Sequence, residues 1–173
     1  MVVGLMDFLE LAKKRYSVRG YKPQEVEKEK LDYVLEAFRM APTACNLQPF
    51  KLFVIKTKGK EKALGEICGS WKWFTEAPLL LCVCALPKKA WSRADGKNYS
   101  DVDCAIAFDH LVLAATEKGL GTCWVAKFNV AKAKELLGIK NDFEPIAFTP
   151  LGYPKVEAGR KIRKPVEELV EFL

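Results

Sequence analysis

The chain has 173 residues, half of them apolar, and a formal net charge of +6 from 28 Lys and Arg against 22 Asp and Glu. That length suits one domain, or one domain with an arm, and that apolar share allows a substantial core. There is no dense Lys and Arg block to track a nucleic acid and no apolar run able to cross a bilayer. Met1 to Met6 also lack the pattern of a secretory leader, so the expectation is a cytoplasmic protein that meets small anions.

Asp7 to Lys14 places Phe8, Leu9, Leu11 and Ala12 on one side of a short helix, which ends before Gly20 and Pro23. It delivers the chain to Arg15-Tyr16-Ser17-Val18-Arg19. Two guanidinium groups and a hydroxyl suit a phosphate, since Arg donors match its oxygens two at a time. In an extended segment residues 15, 17 and 19 share a face. Alone, the same cations equally describe a helix end complementing its dipole in water. A second helix spans about Val26 to Met40, with Leu31, Val34, Leu35 and Phe38 toward a core, and Pro42 stops it. The following loop, Ala41 to Phe50, has two prolines, almost no charge and the amides of Asn46 and Gln48, which can read a polar heterocycle.

Lys51 to Lys56 reads as a strand and Lys60 to Cys68 as a helix. Trp71, Trp73 and Phe74 either stack on a planar ligand or pack over the edge of the core. Leu79 to Leu86 reads as a buried strand with Cys82 and Cys84 on one face. The six cysteines contain no CxxC pair, and the single histidine, His110, falls inside a helix. The cysteines therefore read as small core residues and no metal site is expected. Pro87 to Ser100 is an exposed loop that can serve as a cover. Asp101 to Lys118 is a helix apolar nearly all round, which calls for a second subunit beside it. Gly119-Leu120-Gly121-Thr122 ends that helix, and Cys123-Trp124-Val125 reads as a short strand. Asn129 caps a helix over Val130 to Leu137, closed by Gly138, and Pro145 to Leu151 is the last core strand. Lys155, Arg160, Lys161, Arg163 and Lys164 then form a basic tail. That tail is either solvated or joins Arg15 and Arg19 at one anion.

Five pieces in order, Arg15-x-Ser17-x-Arg19, Pro42-Thr43-Ala44-x-Asn46-x-Gln48-Pro49-Phe50, Asp101 with its apolar helix into Gly119-Leu120-Gly121-Thr122-Cys123-Trp124, Leu151-Gly152-Tyr153-Pro154, and Lys161-x-Arg163-Lys164-Pro165, resemble the FMN-dependent nitroreductase family. The likeness covers nearly the whole chain and is to a compact member. It implies an α+β nitroreductase fold, a central mostly antiparallel sheet flanked by helices, with residues 1–173 as one FMN-binding domain. It further implies an intertwined homodimer whose C-terminal arm, from about residue 155 to 173, is exchanged, with FMN at the interface.

By the same resemblance Arg15, Ser17 and Arg19 hold the phosphate and ribityl chain together with Lys161 and Arg163, and Tyr16 adds a backbone or ring contact. Pro42, Thr43, Ala44, Asn46 and Gln48 approach from the other subunit. Trp124, Val125 and Ala126 lie along the isoalloxazine, where the family presents a backbone N–H. Thr43-Ala44 replaces a Ser pair, Ala126-Lys127 replaces Glu-Gly or Gly-Ala, and residues 60–78 carry no assignment.

The implied activity is that of an oxidoreductase using NADH or NADPH as transient donor and a small nitroaromatic or quinone as acceptor, in ping-pong order. No side chain serves as a catalyst, since the flavin carries the chemistry. No GxGxxG follows a strand, so no Rossmann site is expected. Two other readings remain at this point: a flavin-binding protein of the same fold with another task, such as dehalogenation, flavin fragmentation or storage, and a basic partner- or nucleic-acid-binding module built on the tail.

Overall fold

The computed structural model describes residues 7–69 and 71–173. Strands β1 (Phe50–Lys56), β2 (Leu79–Ala85), β3 (Gly121–Thr122) and β4 (Glu144–Gly152) form an antiparallel sheet in the order β1-β2-β4-β3. Helices α1 (Phe8–Lys14), α2 (Lys28–Arg39), α3 (Glu61–Gly65), α4 (Lys72–Glu76), α5 (Ser100–Glu117) and α6 (Val130–Leu137) flank it. The α+β expectation holds.

Strand β2 explains the two-sided layout, because every one of its residues is buried. Period two sends Leu79, Leu81, Val83 and Ala85 into one core with α2 and α5. Leu80, Cys82 and Cys84 enter the other, with residues from α3, α4 and α6. The two thiols share that face, their sulfurs 3.7 Å apart. Phe148 of β4 anchors the second core, meeting Phe74 and Phe128 edge-on at centroid separations of 5.8 and 4.9 Å.

Three segments differ from the sequence reading. The helix expected over 60–68 stops at Gly65 and continues as turns. The aromatic run at 71–74 opens a helical turn, α4, because Phe74 is fully buried and Pro78 forces the chain to extend right after it. Cys123-Trp124-Val125 is not a continuous strand: pairing covers 121–122, lapses, and returns as one bridge between Val125 and Phe148. The reason lies on the facing strand, where Pro150 has no N–H to offer. The Cys123 N–H donates instead to the Thr149 hydroxyl at 2.9 Å.

Helix α5 is largely covered within one protomer, leaving Asp101, Val102, Asp109 and His110 exposed. The loop after β2 is exposed but internally tied, with Trp91 edge-on to Tyr99 at 5.1 Å and a bridge between Ser92 and Asn98. The C-terminal arm divides. Lys155 N–H donates to the Gly20 carbonyl at 2.9 Å and Tyr16 Oη to the Val156 carbonyl at 2.6 Å, which hold its start on its own chain. Residues 164–173 are exposed throughout, Phe172 by 94%.

Phe148→Ala removes the ring on which Phe74 and Phe128 both rest, and we expect it to lower the unfolding free energy by about 3–5 kcal/mol. Urea titration at fixed protein concentration measures this.

Candidate functional site

Arg15 ends α1, its N–H donating to the Leu11 carbonyl at 3.0 Å, and the chain then runs extended beside β3. Ser17 pairs in parallel with Thr122, and the Val18 N–H donates to the Thr122 carbonyl at 2.8 Å. Val18 is buried, while Arg15 and Ser17 are half-buried and Arg19 is exposed. The alternation thus turns the three polar residues away from the core, as the extended reading required. Gly121 makes the approach possible: a Cβ there would sit 2.7 Å from Val18 Cγ2.

The two ends of the chain meet at this segment. Lys161 Nζ donates to the Lys13 carbonyl at the end of α1. Partial burial, and then the charges of Arg15 and Arg163, hold the Lys161 ammonium below its ordinary range. Arg19 and Arg15 also reach Cys123: burial raises that thiol above its usual value, while Arg19, the Ser17 hydroxyl and Arg15 pull against the rise. Among the described residues no carboxylate forms an ion pair with Arg15, Arg19, Lys161 or Arg163. Cations brought to one segment and left without an ion-pair partner suit an anion with several oxygens.

Beside this cluster lies an open cleft of about 430 Å³, lined by Arg19, Trp71, Trp73 and residues 123–127. Pro150's missing donor shapes its wall. Cys123 and Val125 both spend their N–H groups on β4, Val125 on the Phe148 carbonyl at 2.8 Å. Of the three residues expected along a flavin ring, Val125 therefore has no N–H to give. Trp124 and Ala126 alternate with it, and among the described residues neither N–H has a partner. Trp124 is 41% exposed and rests edge-on against Phe108 of α5 at 4.8 Å.

The amide loop sits elsewhere. Cys45, Asn46 and Gln48 all have left-handed φ values, +51°, +54° and +48°. Such backbone in non-glycine residues persists only where surroundings fix it. Here Thr43 Oγ1 accepts from the Gln48 N–H at 3.1 Å, and Gln48 Nε2 donates to Asn46 Oδ1 at 2.8 Å. The main tether is Asp103 of α5, whose Oδ1 accepts from the Ala44 N–H at 2.9 Å while its buried Oδ2 has no partner. The resemblance singles out Asp101 at the head of the helix, but Asp101 is exposed and Asp103 is 1% exposed. Helical spacing held the missed signal, because Asp103, Ala107 and Leu111 recur on the buried face.

Pro42, Thr43, Ala44, Asn46 and Gln48 are thus fixed to the start of α5. Tyr16 and Val18 lie beside Thr116, near its end. Thr116 is thirteen helical steps beyond Asp103, on the order of 20 Å. A single chain brings Arg15, Ser17, Arg19, Lys161 and Arg163 to one segment, with residues 124–126 in the cleft that Arg19 also lines, and the amide loop stands apart from these cations. Tyr16 spends its hydroxyl on the arm.

A family model described as the nitroreductase family matches residues 12–72 and 66–153. The chain belongs to the nitroreductase family. A nitroreductase family protein of Clostridium difficile 630 superposes with a TM-score of 0.88 at 40% identity, over 96% of this chain and 98% of that one. The FMN reductase [NAD(P)H] of Bacillus subtilis is 27% identical over 167 residues, 87% of this chain and 67% of the relative. An Exiguobacterium sibiricum protein solved in complex with FMN matches at 18% identity and a TM-score of 0.87, covering 98% of each chain, which speaks for the fold.

In this nitroreductase-family chain, Asp103→Ala removes the acceptor that holds Ala44, whereas Asp103→Asn keeps an oxygen in place. We expect Asp103→Ala to lower stability by about 1–3 kcal/mol, and to speed amide hydrogen exchange over residues 44–48, with Asp103→Asn close to the parent protein.

Proposed function

We propose that the chain is an FMN-dependent oxidoreductase, working as a homodimer, that moves reducing equivalents from NADH or NADPH to a small organic acceptor such as a nitroaromatic or a quinone. The observation that carries this reading is the cluster of Arg15 and Arg19 beside Ser17 and Cys123, joined from the arm by Lys161 and Arg163, none of them in an ion pair with a carboxylate among the described residues. A phosphate monoester fits that cluster: guanidinium forks and an ammonium supply charge-assisted donors, and the Ser17 hydroxyl adds a neutral one. The neighbouring cleft gives a planar ring apolar walls and two backbone donors, at Trp124 and Ala126. FMN joins these two features in one molecule, and when bound it supplies the hydride chemistry.

The protein's part is to bind, orient and exclude. Arg15, Arg19, Lys161 and Arg163 fix the phosphate end; the N–H groups of Trp124 and Ala126 offer hydrogen bonds to the heteroatom edge of the ring. Tyr16 holds the arm that carries Lys161 and Arg163. Pro42, Thr43, Ala44, Asn46 and Gln48 complete the site from a second copy, since α5 keeps them away from their own cluster. Pairing of two copies also accounts for α1, which has no buried residue although Phe8 and Leu9 are apolar, and for the exposed Val166, Leu169 and Phe172. The arm exchanged in that pairing is then residues 164–173. The dinucleotide enters and leaves the open cleft, so the oxidised donor departs before the acceptor arrives. Reduction of the bound flavin by NADH or NADPH without acceptor, followed as bleaching at about 450 nm in stopped flow, tests this. A yellow protein that is not bleached contradicts it.

Arg163→Ala removes one charge-assisted contact, so FMN binding weakens by about 1.5–3 kcal/mol, measurable by flavin fluorescence titration. Lys161 adds a pH dependence. Its free-state value lies below the ordinary 10.5, and an anion beside it raises it again, so binding takes up a proton in the window between. FMN affinity therefore falls as the pH rises through the lowered free-state value, and Lys161→Ala abolishes that alkaline decline.

A further inference from the structure

Trp71 and Trp73 stack on each other with centroids 5.5 Å apart and planes 18° from parallel. A cation lies toward each: the Arg19 guanidinium 5.9 Å from the Trp73 ring, and Lys127 Nζ 6.0 Å from the Trp71 ring. All four residues line the cleft that Trp124 also lines, and no residue lining it is acidic. The cation over Trp73 belongs to the phosphate cluster. Lys127 does not: it is exposed, and among the described residues it makes no ion pair. Glu66 lines the adjoining cleft with Lys127, but it is engaged by Lys132 at 3.3 Å.

We propose that Trp71, Trp73 and Lys127 form the acceptor-binding wall of the cleft and select planar aromatic acceptors that carry a carboxylate, with Lys127 as the specificity-determining residue. This rests on the reading of the cleft as a flavin site, and concerns the side of it that the flavin leaves open. Two indoles already stacked on each other are a flat apolar surface with little rotamer freedom left to lose, which suits an aromatic ring. A Lys ammonium is a compact point charge on a flexible stem, able to follow a carboxylate at the ring's edge. The stacking serves any flat acceptor. The charge discriminates between an anionic ring and its neutral isostere.

The test uses equilibrium binding to flavin-loaded, oxidised protein, with benzoate and its neutral isostere benzamide as probes and titration calorimetry as readout. Flavin content is first fixed by visible absorbance. The parent protein is expected to bind benzoate about five-fold more tightly than benzamide, the scale of one partly exposed charge pair. Lys127→Ala should bring the two affinities together, Lys127→Arg should keep the preference, and Trp71→Ala should weaken both ligands alike. Trp71→Phe, which keeps an aromatic face, should recover most of that loss. Equal binding of both probes to the parent protein overturns the proposal. A preference that survives Lys127→Ala does so too, as does a Lys127→Ala effect confined to the affinity of a non-reducing NADPH analogue. Protein that takes up no flavin overturns the functional reading along with it, and the absorbance measurement tells that failure apart from the others.

Discussion

Like charges repel, and this fold draws four of them together from its two ends. Arg15 and Arg19 come from the segment after the first helix, Lys161 and Arg163 from the arm after the last strand. The meeting is enforced from both sides. Ser17 bridges Thr122, whose carbonyl accepts from the Val18 N–H, Gly121 leaves room for Val18, and Tyr16 holds the arm by its Val156 carbonyl. Lys161 registers the cost as an ammonium held below its ordinary range by burial and by two guanidinium neighbours. A polyvalent anion reverses that cost, so ligand binding and the closing of the chain's ends are coupled.

The second constraint is the length of α5. It carries Asp103 at its buried start and Thr116 near its finish, and these two points hold the strained amide loop and the Arg15 segment respectively. A rigid helix of this length cannot bend its ends toward one ligand. Symmetry can do what bending cannot: a two-fold axis across paired helices sets the start of one beside the finish of the other. The apolar side chains of α1 and of residues 164–173 are exposed in the single chain, and the proposed pairing would cover them.

The sequence made the sheet's buried strand, the α2 core face, the Asn129 cap and the extended run from Arg15 to Arg19 legible, because each rests on a local pattern such as alternation, helical spacing or a capping residue. Phe74 shows the limit: an aromatic run reads as an edge feature until Phe148 and Phe128, far along the chain, supply the pocket it fills. Pro150 shows it again, by interrupting the pairing of Cys123 and Trp124 from the opposite strand. Asp103 was overshadowed by Asp101 two residues earlier, since only the packed helix reveals which carboxylate turns inward. The position of Lys127 over Trp71 joins residues 56 apart, and no local pattern announces such a contact.

In the proposed homodimer one flavin site is built from the cation cluster of one chain and the amide loop of the other. Mixing two variants measures this directly: Arg163→Ala with an intact loop, and the pair Asn46→Ala and Gln48→Ala with an intact cluster. Each alone forms sites that are all defective. Unfolded together and refolded, they should regain FMN binding at about one site in four, because half the dimers are mixed and each mixed dimer has one intact site. FMN capacity that stays at the level of the separate variants after mixing would mean that the two parts do not share a site.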